Sequence, residues 1–189
     1  DSEATIDLGG TPAWAIVNAG GHGFYRVSYS KVLRDALSGR ALDVLSEAER
    51  YGLVDDTWSA VLAGDLKAED HIALITSLAS ETDLAVWQRM LSSLEHLYAI
   101  AEPPGQRRLE VLVRDLSTTG LGVLGLEPME NEPDLDRELR AALFAAAGTT
   151  GQDASVREMA NTLFADASAG NAVEPNLAAA VVRVVAAAG

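Results

Sequence analysis

The chain has 189 residues and sets 28 acidic against 14 basic side chains, a formal charge of −14. Such a surface repels nucleic acid and anionic lipid, which both need a basic footprint, and its simplest role is solubility. Without a single cysteine, the chain has no disulfides and no thiolate metal sites, and its composition points to a cytoplasmic setting.

Residues 1–30 read as β. Ala4 to Leu8 alternates at period two, and Trp14 to Val17 forms a second run after Gly9-Gly10-Thr11-Pro12. Next, Asn18 to Gly23 carries three glycines, which permit positive φ and a tight reversal. Phe24 to Tyr29 follows with the aromatic and β-branched residues of a strand. About three short strands are too few for an independent sandwich.

After Ser30 the pattern turns helical. Ser46-x-x-Glu49 is a capping box opening a helix whose expected inner face is Tyr51, Val54, Trp58, Val61 and Leu62, with Gly64 as its stop. A helix near 68–79 turns Ile72, Ile75 and Leu78 inward. The helix near 83–101 has the longest stripe: Trp87, Met90, Leu91, Leu94, Leu97, Tyr98 and Ala101. Pro103-Pro104-Gly105 ends it, and Leu109, Leu112, Val113 and Leu116 mark another helix.

Residues 117–134 break the rhythm with glycines, Pro128, Pro133 and the acids Glu127, Glu130 and Glu132, and read as a long connection. The acids from Glu127 to Glu138 are taken as a solvated loop and helix start. Helices resume near 135–147, 154–168 and 176–188, with inner sets Leu135/Leu139/Leu143, Val156/Ala160/Leu163/Phe164 and Leu177/Val181/Val184/Val185. A helix pair recurs about every 40 residues, the range of HEAT-like arrays. The expected fold is therefore mainly α: an irregular HEAT/armadillo-like solenoid of helical hairpins, preceded by a small β remnant.

Three ordered stretches carry a family resemblance. Val17-Asn18-Ala19-Gly20-Gly21-His22-Gly23-Phe24-Tyr25-Arg26-Val27-Ser28-Tyr29 resembles the β-to-helix junction of aminopeptidase-N-like zinc metallopeptidases, the gluzincin aminopeptidases. Leu45 to Asp56, ending at Ala63-Gly64, is similar to the helix opening that family's C-terminal domain of the endoplasmic-reticulum-aminopeptidase type. Glu81-Thr82-Asp83 followed by Trp87 resembles the start of a later helix there, and Leu139-Arg140, Ala160 with Phe164, and Pro175-Asn176-Leu177 to Val181 follow in order. The resemblance implies that residues 1–30 are the last strands of a β-sandwich domain. Residues 31–189 would be the first part of the helical C-terminal domain, cut at its end.

The family's catalysis needs His-Glu-x-x-His on a helix plus a distal Glu, because two imidazoles one turn apart and a carboxylate fix the zinc. This sequence holds only His22, His71 and His96, none with a second His four residues away, and it lacks the family's Gly-x-Met-x-Asn strand. The expectation is no catalytic residue, no metal site and no cofactor in this chain, with zinc in a catalytic domain elsewhere in the polypeptide. Asp55 and Asp56 are adjacent on a helix and so point about 100° apart. One is expected to meet a loop and the other solvent. Gly20-Gly21-His22-Gly23 lacks the Lys-Ser/Thr of a phosphate cradle and precedes a strand, so it reads as a turn. Trp58 and Trp87 sit on core stripes. Arg26 is the one side chain offered as a contact to peptide or catalytic domain, with a structural salt bridge as the weightier role.

No run approaches the roughly 18 apolar residues of a spanning helix, and Asp1-Ser2-Glu3 lacks the basic start of a signal peptide. The Arg-over-Lys, Ala-rich bias, with only Lys31 and Lys67, fits a high-GC bacterial genome. The resemblance implies an accessory portion of a bacterial zinc aminopeptidase that caps the active-site chamber and restricts peptide access, with the catalytic and β-sandwich domains and peptide substrates as partners. The nearly uncharged segment Val181 to Gly189 lacks the polar outer face of a terminal repeat, which favours a truncated domain prone to self-association. The alternative is a stand-alone helical-repeat scaffold that binds protein partners.

Overall fold

The computed structural model describes residues 5, 7, 9, 10, 12–125, 129 and 131–189. Among these the chain is mainly helical and forms no strand. It divides into two compact units, Asp1–Leu78 and Ala79–Gly189.

The first unit starts with the glycine-rich segment. Asn18 (φ 64°), Gly20 (φ 73°) and Gly21 (φ 72°) take the left-handed conformation around a 3-10 turn, Ala19–Gly21. The Asn18 side chain closes the turn, donating from Nδ2 to the Gly23 carbonyl at 3.0 Å and accepting from the Gly23 amide. Trp14–Val17 and Phe24–Tyr29 are not strands, contrary to their composition. A strand needs a second backbone to satisfy its N–H and C=O groups. Here the Val17 amide donates to the Tyr29 hydroxyl instead, at 3.0 Å. The Ala4–Leu8 run falls largely on residues outside those described.

Ser30 caps α1 (Lys31–Ser38), and α2 (Ala41–Val44) is a single turn. At Ser46 the capping box forms: its hydroxyl accepts from the Glu49 amide while the Glu49 carboxylate accepts from the Ser46 amide at 2.8 Å. The helix α3 (Glu47–Ala63) then runs to Gly64, whose φ of 81° places the stop where the sequence does. Its buried face is Arg50, Leu53, Val54, Thr57 and Trp58, which shares Val54 and Trp58 with the expected one and is turned from the rest of it. Tyr51 and Leu62 are exposed. The face rotates because the two polar residues on it find partners inside. Arg50 Nη1 donates to the Leu45 carbonyl at 2.6 Å, and Thr57 meets His71 of α4 (Ala68–Ser77). Leu37, Leu74, Ile75 and Leu78 complete this core.

The second unit opens with the Glu81-Thr82-Asp83 motif, a device for starting α5 (Leu84–Ile100). Glu81 Oε1 accepts from the Thr82 and Asp83 amides at 2.8 and 2.9 Å, and Asp83 caps the helix through the Val86 amide at 3.0 Å. The stripe buries as expected from Trp87 to Leu97, and Trp87 Nε1 donates to the Glu81 carbonyl at 2.8 Å. Pro103 and Pro104 stop one helix and start the next, since the first turn of a helix needs no amide from them. That next helix, α6 (Pro103–Leu124), runs well into the expected connection. Its Gly120 is a packing site: a Cβ there would lie 2.9 Å from Trp87 Cζ2 and from Leu143 Cδ1.

The core of α7 (Asp134–Gly148) is buried over most of its last nine residues, although Leu135 at its start is exposed. Against it lie α8 (Ala154–Ser168) and α9 (Pro175–Ala188), with Phe144, Ala145, Ala160, Ala180, Val181 and Val184 in one apolar cluster. Phe164, placed inward by the sequence pattern, is 43% exposed. Phe164 instead lines an open groove between α8 and α9 with Leu163, Ala167, Val181 and Val182.

Candidate functional site

The segment singled out by sequence, Asn18 to Tyr29, is held on α3 by three carboxylates. Glu49 Oε1 accepts from the Gly20 amide at 2.8 Å while its other oxygen serves the capping box. These amides, Gly20 first and Ser46 second, hold the Glu49 carboxyl below the usual range. The backbone donor that a phosphate would need is thus taken by a side chain of the same unit. Arg26 Nη1 pairs tightly with Asp55 and lies 3.6 Å from Asp56. That hydrogen bond to Asp55 raises the guanidinium pKa further. Both adjacent acids therefore engage one guanidinium, and neither is left to solvent alone as the 100° argument expects. The side chains of Asp55 and Asp56 are 20% and 12% exposed. Burial raises the Asp56 pKa and outweighs the bond from the Val27 amide, which lowers it.

The histidines stand apart in environment. His22 is exposed beside the 3-10 turn and His96 is exposed on α5. His71 is fully buried, with Nδ1 2.9 Å from Thr57 Oγ1 and its ring centroid 5.4 Å from that of Trp58. The Thr57 hydroxyl reaches the Leu53 and Val54 carbonyls at 2.9 and 3.0 Å. When its one hydrogen goes to either carbonyl, Oγ1 is left to accept from His71 Nδ1; when it goes to Nδ1, the imidazole accepts. Among the described residues no three His, Asp or Glu side chains converge to hold a metal ion, so a zinc site does not fit them. No described helix is long and apolar enough to cross a membrane.

Sequence reasoning missed one charged site in the second unit. Glu132, expected in solvent, is buried against Arg140 of α7. Arg140 Nη1 donates to Glu132 Oε2 at 2.9 Å, Nη2 pairs with Oε1, and Nε donates to the Gly125 carbonyl at 2.8 Å. The bond from Arg140 holds the Glu132 carboxyl below its usual range. The available signal was Arg140 itself, an ionic residue inside the run Leu139 to Leu143. Glu127, Pro128 and Glu130 lie outside the described residues.

Both anchored segments are fixed by charged side chains: Glu49, Asp55 and Asp56 seat a loop on α3, and Arg140 joins helix ends. The chain is similar to part of several aminopeptidases. Aminopeptidase M1-A of Oryza sativa subsp. japonica is 32% identical over 149 residues, 77% of this chain and 17% of that protein. Aminopeptidase 2 of Candida albicans is 28% identical over 183 residues, 94% of this chain and 20% of that protein. The puromycin-sensitive aminopeptidase of Caenorhabditis elegans is 25% identical over 192 residues, covering 97% of this chain and 20% of its own length. The chain spans 17% to 20% of the length of these curated relatives. The family model of the ERAP1-like C-terminal domain matches residues 14–189, and the chain belongs to that family, the helical C-terminal domain of aminopeptidase-N-like enzymes.

Proposed function

We propose that this chain is the non-catalytic C-terminal portion of a bacterial zinc-dependent aminopeptidase. Its helices would cap the active-site chamber and restrict which peptides enter. One observation carries the reading: the family match runs over residues 14–189 in a sequence without His-Glu-x-x-His. Zinc would then reside in a catalytic domain of the same polypeptide, bound by the ligand set this chain lacks.

In this reading residues 1–30 are the end of a β-sandwich domain, and Phe24–Tyr29, which is no strand in this chain, would become one only against the backbone of that domain's other strands. Residues 31–189 form an irregular solenoid of helical hairpins; the packing of α7 on both α8 and α9 supports that arrangement. Arg26, with its side chain 63% exposed beyond the Asp55 pair, remains the side chain offered to peptide or catalytic domain. The lack of cysteine supports a cytoplasmic setting. Exposed Phe24, Phe164 and Val182 support self-association of the chain when it is isolated.

The test has two parts. Reading the gene upstream of the Asp1 codon should reveal an in-frame Gly-x-Met-x-Asn and His-Glu-x-x-His followed by Glu; a start codon there would favour the stand-alone scaffold. The polypeptide so defined should then trim peptides with a sharp dependence on length. Rates indifferent to length would contradict the cap.

A further inference from the structure

Beneath the Val27–Tyr29 segment lies a partly enclosed cavity of about 40 Å³, lined among others by Tyr29, Arg34, Asp56 and Thr57. Arg34 comes from α1 and Asp56 from α3. The Arg34 residue is only 7% exposed, yet its direct contacts are long: Nη1 to the Tyr29 carbonyl at 3.5 Å and Nη2 to Asp70 Oδ1 at 3.4 Å. A guanidinium carries five N–H donors in a fixed fork, and removing it from water is costly unless they are satisfied.

Asp56 has the complementary deficit. Its carboxylate offers about four acceptor sites, against the Val27 amide and an Arg26 nitrogen at 3.6 Å. Burial leads the causes that disfavour its charged form. A cation short of acceptors and an anion short of donors therefore face one small polar space. Cavities that stay dry are lined by apolar groups, whereas a polar one holds water at roughly 10–15 Å³ per molecule. By that measure the space suits about three or four waters. A metal cation is disfavoured by the guanidinium on the same wall.

We propose that this cavity is a buried hydration site in which ordered waters bridge the Arg34 guanidinium to the Asp56 carboxylate. Through them the Val27–Tyr29 segment is seated on α1 and α3 by a water-closed network. The Asp55–Arg26 pair, further out, clamps its surface edge.

A high-resolution crystal structure of the 189-residue chain should show ordered waters within hydrogen-bond distance of both Arg34 and Asp56. In solution, water-to-amide cross-relaxation at Val27 should carry the sign of long-lived water. Arg34 and Asp56 collapsed into a direct pair, or an unhydrated cavity, would overturn the proposal. Arg34→Met and Asp56→Asn provide a second readout. Residues in one network are non-additive, so the double variant should lose less melting temperature than the two single losses combined. Strictly additive losses would count against the bridge.

Discussion

Glu132 and Arg140 form a buried, two-pronged ion pair eight residues apart, and Arg140 also holds the Gly125 carbonyl at the end of α6. One guanidinium thus ties three points: the end of α6, the residues before α7, and α7 itself. The geometry is of the planar, bidentate type that only arginine supplies.

This pair makes stability sensitive to acid. The Glu132 pKa is lowered by Arg140 in the folded chain, so the unfolded state binds its proton at higher pH. The contribution is complete above the unfolded carboxylate value and is lost as pH falls through the folded one. Glu132→Gln should lower the melting temperature at pH 7 and flatten its decline on acidification. Parallel curves for variant and parent would show that the pair adds nothing.

Trp87 is fully buried, with its indole N–H satisfied by the Glu81 carbonyl. Truncation to alanine removes both the packing on Gly120 and that bond. Loss of about 3–5 kcal/mol is expected from large-to-small replacement in a core. Chemical denaturation measures it, and an unchanged midpoint would place the indole in solvent.

Thr57→Val keeps the shape of the side chain but removes the hydroxyl that meets His71 Nδ1. A buried polar group stripped of a partner costs about 1–3 kcal/mol. In the parent chain, long-range nitrogen–proton NMR correlations should find His71 protonated on Nδ1. The opposite tautomer would mean that the threonine donates to the histidine and not to its own helix.

Several of these features can be read from the residues alone. Ser46-x-x-Glu49 and Asp83 are helix starts because their side chains accept local amides, and the stripe Trp87, Met90, Leu91, Leu94 and Leu97 is apolar at helical spacing, with Ser93 buried beside it. Pro103-Pro104 marks a boundary by the chemistry of its missing donors. The failures arise where tertiary partners override local preference. Arg50 and Thr57 are polar but find buried partners, which turns α3. Gly120 reads as a breaker, yet it lies inside α6, and glycine is needed there because the Trp87 and Leu143 side chains occupy the space a Cβ would fill. Glu132 reads as solvated because its partner is found only once α7 is folded against it. Phe24–Tyr29 has strand composition, but the sequence does not say which backbone it would pair with.

The proposed role of this chain is framework and not catalysis. The most direct measurement is zinc content by elemental analysis of the purified chain, together with release of arylamine from aminoacyl-arylamides in the presence of added zinc. The account predicts no stoichiometric zinc and no chelator-sensitive turnover. One tightly held zinc per chain, with hydrolysis abolished by chelator, would contradict it.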